Sequence, residues 1–200
     1  MKRNSFLIGW IVLIAGLLCS MRGSAVDVNS AEALRNALGN ATVDGNVVTL
    51  TGIVNLSSTL NITGGTMILD LNGKTIIYDR TGTQENATAI NVNGGNIVIK
   101  NGTIETYAAN GQNNGWNTKG GNGYNATAVV FNSGKVSLLS MSLKAIPGKG
   151  GSGQNFWGQS NPGNDGSPWV VDAEGNNTLG DVVPYGAYFS NPSDVKYTEK

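Results

Sequence analysis

The stretch Leu60-Asn61-Ile62-Thr63-Gly64-Gly65-Thr66-Met67-Ile68-Leu69 decides the fold, because the chain writes it again. The second copy is Ile90-Asn91-Val92-Asn93-Gly94-Gly95-Asn96-Ile97-Val98-Ile99, and the third is Val129-Val130-Phe131-Asn132-Ser133-Gly134-Lys135-Val136-Ser137-Leu138. Aligned, and continued past Asn72-Gly73 and Asn101-Gly102, they give five apolar columns. These are Leu60, Ile90, Val129; Ile62, Val92, Phe131; Met67, Ile97, Val136; Leu69, Ile99, Leu138; and Ile76, Ile104, Leu143. Within a copy the first four columns fall in pairs two residues apart, the spacing at which side chains of a strand share one face. Each copy therefore reads as two short strands joined at a Gly bend, with a third strand starting near the last column. One copy cannot bury its inward face alone, but a stack of them can, and the pattern predicts an all-β solenoid.

Asn72-Gly73 and Asn101-Gly102 are also strong signals for two-residue hairpin turns, which would fold the strands into an antiparallel sandwich. The third copy argues against hairpins: Leu138-Leu139-Ser140-Met141 continues with no Gly, which a gentle corner tolerates and a tight loop does not. Ahead of the repeats, Asn29-Ser30-Ala31-Glu32 has the form of a capping box, with Asn29 accepting from the first turn and Glu32 reaching back. Leu34, Ala37 and Leu38 share a face and Gly39 ends the run. A short amphipathic helix is expected over the N-terminal end of the stack, where apolar core and strand edges would otherwise lie open.

With that cap, Val48-Thr49-Leu50 and the phrase Leu69-Asp70-Leu71-Asn72-Gly73-Lys74-Thr75-Ile76, residues 26–143 resemble the pectate-lyase-like superfamily in its bacterial surface-protein form. The resemblance implies a right-handed parallel β-helix, with a cap over 26–47 and coils over 48–200, and says little about function. Ala187, Phe189, Val195 and Tyr197 match the first four columns, so a fourth copy is expected to begin near 187 and to stop unfinished at Lys200. An uncapped end implies either a front fragment of a longer protein or a second subunit pairing with the open coil.

Residues 1–25 read as a cleavable secretory signal: Lys2 and Arg3, an apolar run from Phe6 to Leu18, then Gly23, Ser24 and Ala25. The run is short of the roughly 20 residues that span a bilayer, and Leu18 precedes Cys19 where a lipoprotein signal has a small residue. Cleavage would remove Lys2, Arg3, Arg22 and the sole Cys. Ten basic residues would then face thirteen acidic ones, a net charge of −3 in a chain with no His. That composition argues against a nucleic-acid partner and excludes His or Cys chemistry, including His or Cys metal sites. A secreted or cell-surface location follows, with no metal or cofactor assigned. Seven Asn-x-Ser/Thr sequons would be glycan sites in a eukaryotic secreted protein; in the bacterial solenoid that the resemblance implies, Asn61 and Asn101 are more simply surface and turn residues.

Two Gly- and Asn-rich insertions, 105–127 and 144–186, separate the copies and leave and rejoin at matching columns, so they emerge on one side, commonly the binding side. They hold Tyr107, Trp116 and Tyr124, then Phe156, Trp157, Trp169 and Tyr185. Ordering a loop costs about 1–2 kcal/mol per residue, so loops this long need local packing. Their aromatics either fold back as small anchoring clusters, the leading expectation, or stand exposed as flat surfaces for sugar rings. Trp116, Tyr124, Phe156, Trp157 and Trp169 are the candidate ligand-binding residues, with a polysaccharide or host glycan as partner.

Polysaccharide lyase or glycoside hydrolase activity is the enzymatic alternative that the resemblance implies. Hydrolysis needs paired carboxylates, and lyases of this class use a basic residue with calcium held by several carboxylates. The repeats offer Asp70, Asp79, Arg80, Lys100 and Glu105, but no Asp-Asp, His-Gly or Arg-x-x-Lys pattern. Asp70 and Lys100 are expected on the solvated outer face, and no catalytic residue is assigned. Gly163-Asn164-Asp165-Gly166 lacks the repetition of a calcium-binding coil. A non-catalytic adhesin or glycan-binding scaffold is the preferred expectation.

Overall fold

The computed structural model describes residues 25–39, 46–173, 178–183 and 195–197, with side chains described through residue 167 except Lys135. In chain order the elements are β1 (Ala25–Val28), helix α1 (Ala31–Gly39), β2 (Asn46–Leu50), β3 (Val54–Leu56), β4 (Leu60–Ile62), β5 (Thr66–Asp70) and β6 (Thr75–Asp79). Two long strands follow, β7 (Ala87–Tyr107) and β8 (Ala126–Ile146), then β9 (Pro168–Ala173), β10 (Thr178–Val183) and β11 (Val195–Tyr197). The fold is all-β apart from α1, a parallel sheet curled like a half-barrel.

Alternation of inward apolar and outward polar residues sets the pairing, since a slip of one residue would turn every core side chain outward. β4, β5 and β6 lie in turn along the first, middle and last parts of β7, and β7 pairs with β8 along nearly its whole length. Every ladder between described strands is parallel, so the antiparallel sandwich is ruled out. All five sequence columns are in register, from Leu60 beside Ile90 beside Val129 to Ile76 beside Ile104 beside Leu143. None of these side chains is more than 2% exposed.

A further column, Leu56, Tyr78, Thr106 and Ala145, is buried beside them but was hidden by its mixed composition. The Thr106 hydroxyl has no hydrogen-bond partner there.

The corner after the fourth column is a one-residue left-handed kink rather than a hairpin. Asn72, Asn101 and Ser140 stack at φ 48°, 60° and 53°. Asn tolerates this region because its short side chain bonds locally. Asp70 accepts the Asn72 amide at 2.9 Å and the Asn101 side chain at 3.2 Å, and Lys100 lies 3.1 Å away. Just inside the corner Gly102 faces Leu71, and a methyl group there would overlap the Leu71 side chain and the Lys74 carbonyl.

Helix α1 forms as expected, with Leu34 and Leu38 buried and Ala37 packed against the core, over β1 to β4. Its cap lies one residue later than the sequence suggested. Ser30, not Asn29, accepts the Ala33 amide, at 3.1 Å. Arg35 fastens the helix by donating to the Thr59 carbonyl at 2.9 Å and to that of Ser58.

The fourth row starts earlier than expected. β9 pairs with the first part of β8, setting Val171 beside Val129 and Ala173 beside Phe131, and β10 continues beside Lys135 to Leu139. Val195 and Tyr197 lie beside Val171 and Ala173, one row further on, rather than completing a fourth copy. Ala187 and Phe189 lie outside the described residues, as do residues 1–24 of the expected signal. The insertions are accordingly shorter, 108–125 and 147–167, and Trp169 belongs to a strand rather than to a loop.

Candidate functional site

The two insertions form one bundle of four extended segments, 108–115, 117–125, 146–153 and 160–167. The hydrogen bonds between them recur at every third residue. Ala108, Gly111 and Asn114 donate to the carbonyls of Ile146, Lys149 and Ser152 at 2.8–2.9 Å. Gly121 and Tyr124 donate to Gln112 and Ala109, and Gly148 and Gly151 to Tyr124 and Gly121. Gly120, Gly123 and Ala126 donate to Asn161, Asn164 and Ser167, while Gly163 and Gly166 donate to Gly151 and Gly148. A period of three with no bonds inside a segment is the signature of polyproline II geometry.

Glycine is required where the segments cross closely. A methyl group on Gly111, Gly120, Gly148, Gly151, Gly163 or Gly166 would lie well under 3.0 Å from a backbone carbonyl oxygen of a neighbouring segment. Asparagine side chains complete the stack with the same spacing. Asn110 and Asn113 accept the amides of Lys149 and Ser152 at 2.8 Å, and Asn122 and Asn125 accept those of Asn164 and Ser167 at 3.0 and 2.8 Å. Asn86 ties the bundle to the sheet by accepting the Asn125 amide at 2.9 Å. Backbone and amide hydrogen bonds thus run the length of the loops, and the aromatic packing expected from the sequence is found at the two ends of the bundle, as Tyr124 against the core and Trp116 against Phe156.

The rings stand at the far end. Trp116 is 62% exposed, Phe156 57% and Trp157 81%. Phe156 bridges the two indoles, with centroids 5.4 Å from Trp116 at a tilt of 38° and 5.5 Å from Trp157 in an edge-to-face arrangement. Two fixed turns carry them. In the first, the Thr118 hydroxyl donates to the Gly115 carbonyl at 2.6 Å and Asn117 takes φ 58°. In the second, the Asn155 side chain accepts the Trp157 and Gln159 amides at 3.0 and 2.9 Å, while Gly158 sits at φ 73°. Single antiparallel bridges join Gln154 to Thr118 and to Ser160. Beside Trp116 lies an open cavity of about 390 Å³, lined by Asn114, Ser152, Gln154, Ser160 and glycines.

The structure brings Trp116, Phe156 and Trp157 together and leaves out the other two candidates. Tyr124 packs against the hydrophobic core at the root of the bundle. Trp169 lies in β9, its backbone beside Thr127 and its side chain outside the described residues. Tyr185 also lies outside them. Polar lining from Asn114, Ser152, Gln154 and Ser160 was missed, because nothing in the sequence says that two loop tips forty residues apart will meet.

The charged residues considered for catalysis are engaged locally. At Asp70 burial pushes the carboxyl up, but the Asn72 amide, Lys100 and Asn101 together hold it below its ordinary value. Asp79 is held low by the amide and hydroxyl of Thr81. Arg80 pairs with Glu85. Tyr107, at the end of β7, donates to Glu105 at 2.6 Å, which raises its pKa. Lys144 donates to Tyr107 at 3.2 Å, which raises the lysine's own. Among the described residues no three His, Cys, Asp or Glu side chains gather where they could hold a metal ion. No known protein family, curated protein or solved structure matches the chain.

Proposed function

We propose that the protein is an exported adhesin-type or glycan-binding protein, whose glycine-rich bundle holds an aromatic face out toward a polysaccharide or host glycan. The observation that carries this is the exposure of Trp116, Phe156 and Trp157 as one contiguous group, at the end of a bundle held by other bonds. Single exposed apolar residues are ordinary, whereas clustered rings on a rigid support mark contact surfaces. Such rings present apolar area with few rotatable bonds, so little entropy is lost when a ligand settles on them.

The scaffold is proposed to be a right-handed parallel β-helix of the pectate-lyase-like kind. The row-to-row register of the five columns supports this, as does the strong right-handed preference of crossovers between parallel strands. Export rests on the pattern of residues 1–25, and mass spectrometry of the secreted product should find Val26 at its start.

The binding proposal is tested by tryptophan fluorescence titration of the whole chain against a glycan panel. A spectral shift with at least one glycan, lost in Trp116→Ala and Trp157→Ala, is expected. Silence across the panel would remove the proposal. Unsaturated or reducing-end products from acidic polysaccharides would replace binding with cleavage.

A further inference from the structure

We infer that the tip takes an uncharged sugar with a flat C–H face, a neutral hexopyranose unit, and discriminates against uronic, sialic and sulfated sugars; this rests on the glycan-binding proposal above. No ionisable side chain occurs from Gln112 to Thr118 or from Ser152 to Asn161, the two stretches that build the tip; the exposed Lys119 follows directly, its carbonyl accepting from the Asn114 side chain at 2.5 Å. The cavity beside Trp116 is lined by amides, hydroxyls and glycine backbone alone. An acidic sugar would have to shed water from its carboxylate or sulfate in a cavity with no cation in its lining, and that desolvation is costly unless a charge-assisted bond replaces it. A neutral sugar asks for something different. Its hydroxyls donate and accept at once, as do the side chains of Asn114, Gln154, Ser152 and Ser160. Its C–H face needs an apolar plane, which Trp116 and Trp157 supply at the two ends of the Phe156 bridge.

Size favours a small ligand over a protein. Fully buried, an aromatic side chain covers about 150–250 Å². At 57% to 81% exposure the three rings therefore offer roughly 300–500 Å², against roughly 800 Å² per partner in a standard protein interface. The cavity of about 390 Å³ lies at the lower end of the roughly 300–1,000 Å³ typical of small-ligand sites. Concave shape, neutral polar lining and flanking rings together fit a short saccharide, end-on to the bundle.

The test uses the full chain against matched neutral and acidic oligosaccharides of equal length and linkage, by calorimetry at low and high salt. Trp116→Ala, Trp157→Ala and Gln154→Ala serve as variants, and amide-exchange protection of the bundle shows that each still folds. Neutral sugars should bind with an affinity that hardly changes with salt, because neither the ligand nor the cavity lining carries a charge to screen. Trp116→Ala and Trp157→Ala should each weaken binding about tenfold or more, the scale of a central aromatic contact. Equal or tighter binding of acidic sugars that still depends on these indoles would overturn the neutral-sugar inference and leave glycan binding standing. Binding indifferent to all three substitutions, or none to any sugar, would overturn both. A periodate-insensitive protein ligand captured through the two indoles would overturn both as well, in favour of a protein partner.

Discussion

Replacing Gly148 with Ala should open the glycine bundle, whereas the same change at Gly115, in the same bundle, should do almost nothing. A methyl group on Gly148 would overlap the Ala109 carbonyl, and one on Gly115 would meet nothing within 4 Å. Relief of the Gly148 overlap requires segment 146–153 to move away from 108–115. That movement breaks or lengthens bonds on both sides: Gly148 to the Tyr124 carbonyl at 2.9 Å, Gly166 to the Gly148 carbonyl at 2.8 Å, Ala108 to the Ile146 carbonyl at 2.9 Å and Lys149 to the Asn110 side chain at 2.8 Å. At about 0.5–1.5 kcal/mol net per hydrogen bond the loss is roughly 2–6 kcal/mol. Overpacking strain of about 1–3 kcal/mol is the cost if the bonds hold instead. Gly115→Ala should stay within about 0.5 kcal/mol. Because the columns of the sheet are untouched, the damage should be local. Hydrogen exchange resolved by residue should show amides 111, 120, 121, 123, 151 and 163 losing protection in Gly148→Ala, while Ile97 and Ile99 keep theirs. Equal protection in both variants would refute the close-packed four-segment bundle.

Ser140 takes the left-handed conformation that Asn holds in the rows below, so Ser140→Asn should stabilise the protein by about 0.5–1 kcal/mol in chemical denaturation, with no change in the slope. Asn155→Ala removes the acceptor of the Trp157 and Gln159 amides and should loosen the tip by about 1–2 kcal/mol, seen as faster exchange at those amides and weaker binding without global unfolding. Asp70 and Asp79 both have carboxyls held below their ordinary range in the folded chain, so the stability they contribute is present above that range and lost as pH falls through the lowered values. Stability should therefore drop below about pH 4, and Asp70→Asn should shrink the difference in denaturation midpoint between neutral and acid pH.

The rows were legible because strand alternation leaves a residue-by-residue trace. Each inward position needs an apolar side chain, and copies of similar length bring those positions into register. The trace fails where the core changes character. Tyr78, Thr106 and Ala145 fill one column with three chemistries, so no repeat is visible there. Pro168-Trp169-Val170-Val171-Asp172-Ala173 follows directly on the second insertion, and its strand was absorbed into a longer loop. The bundle left a different signal, glycines three apart at Gly120 and Gly123, Gly148 and Gly151, and Gly163 and Gly166. That spacing reports backbone contact rather than side-chain burial, so a search for apolar periodicity passes over it. The aromatic residues are legible in the sequence, but the hydrogen-bonded bundle that leaves Trp116, Phe156 and Trp157 exposed is not. The helix cap shows the scale of local ambiguity: Asn29 and Ser30 are both good caps, and only the Ala33 amide distinguishes them.

The central claim is that the bundle is rigid and holds its aromatic face in water. A variant keeping Trp157 alone, with Trp10, Trp116 and Trp169 changed to Phe, reports on both properties at once through time-resolved anisotropy and acrylamide quenching. Quenching close to that of free indole, together with anisotropy that decays only with tumbling of the whole molecule, is the expected result. A shielded Trp157, or one whose anisotropy collapses within about a nanosecond as in a loose loop, would contradict it.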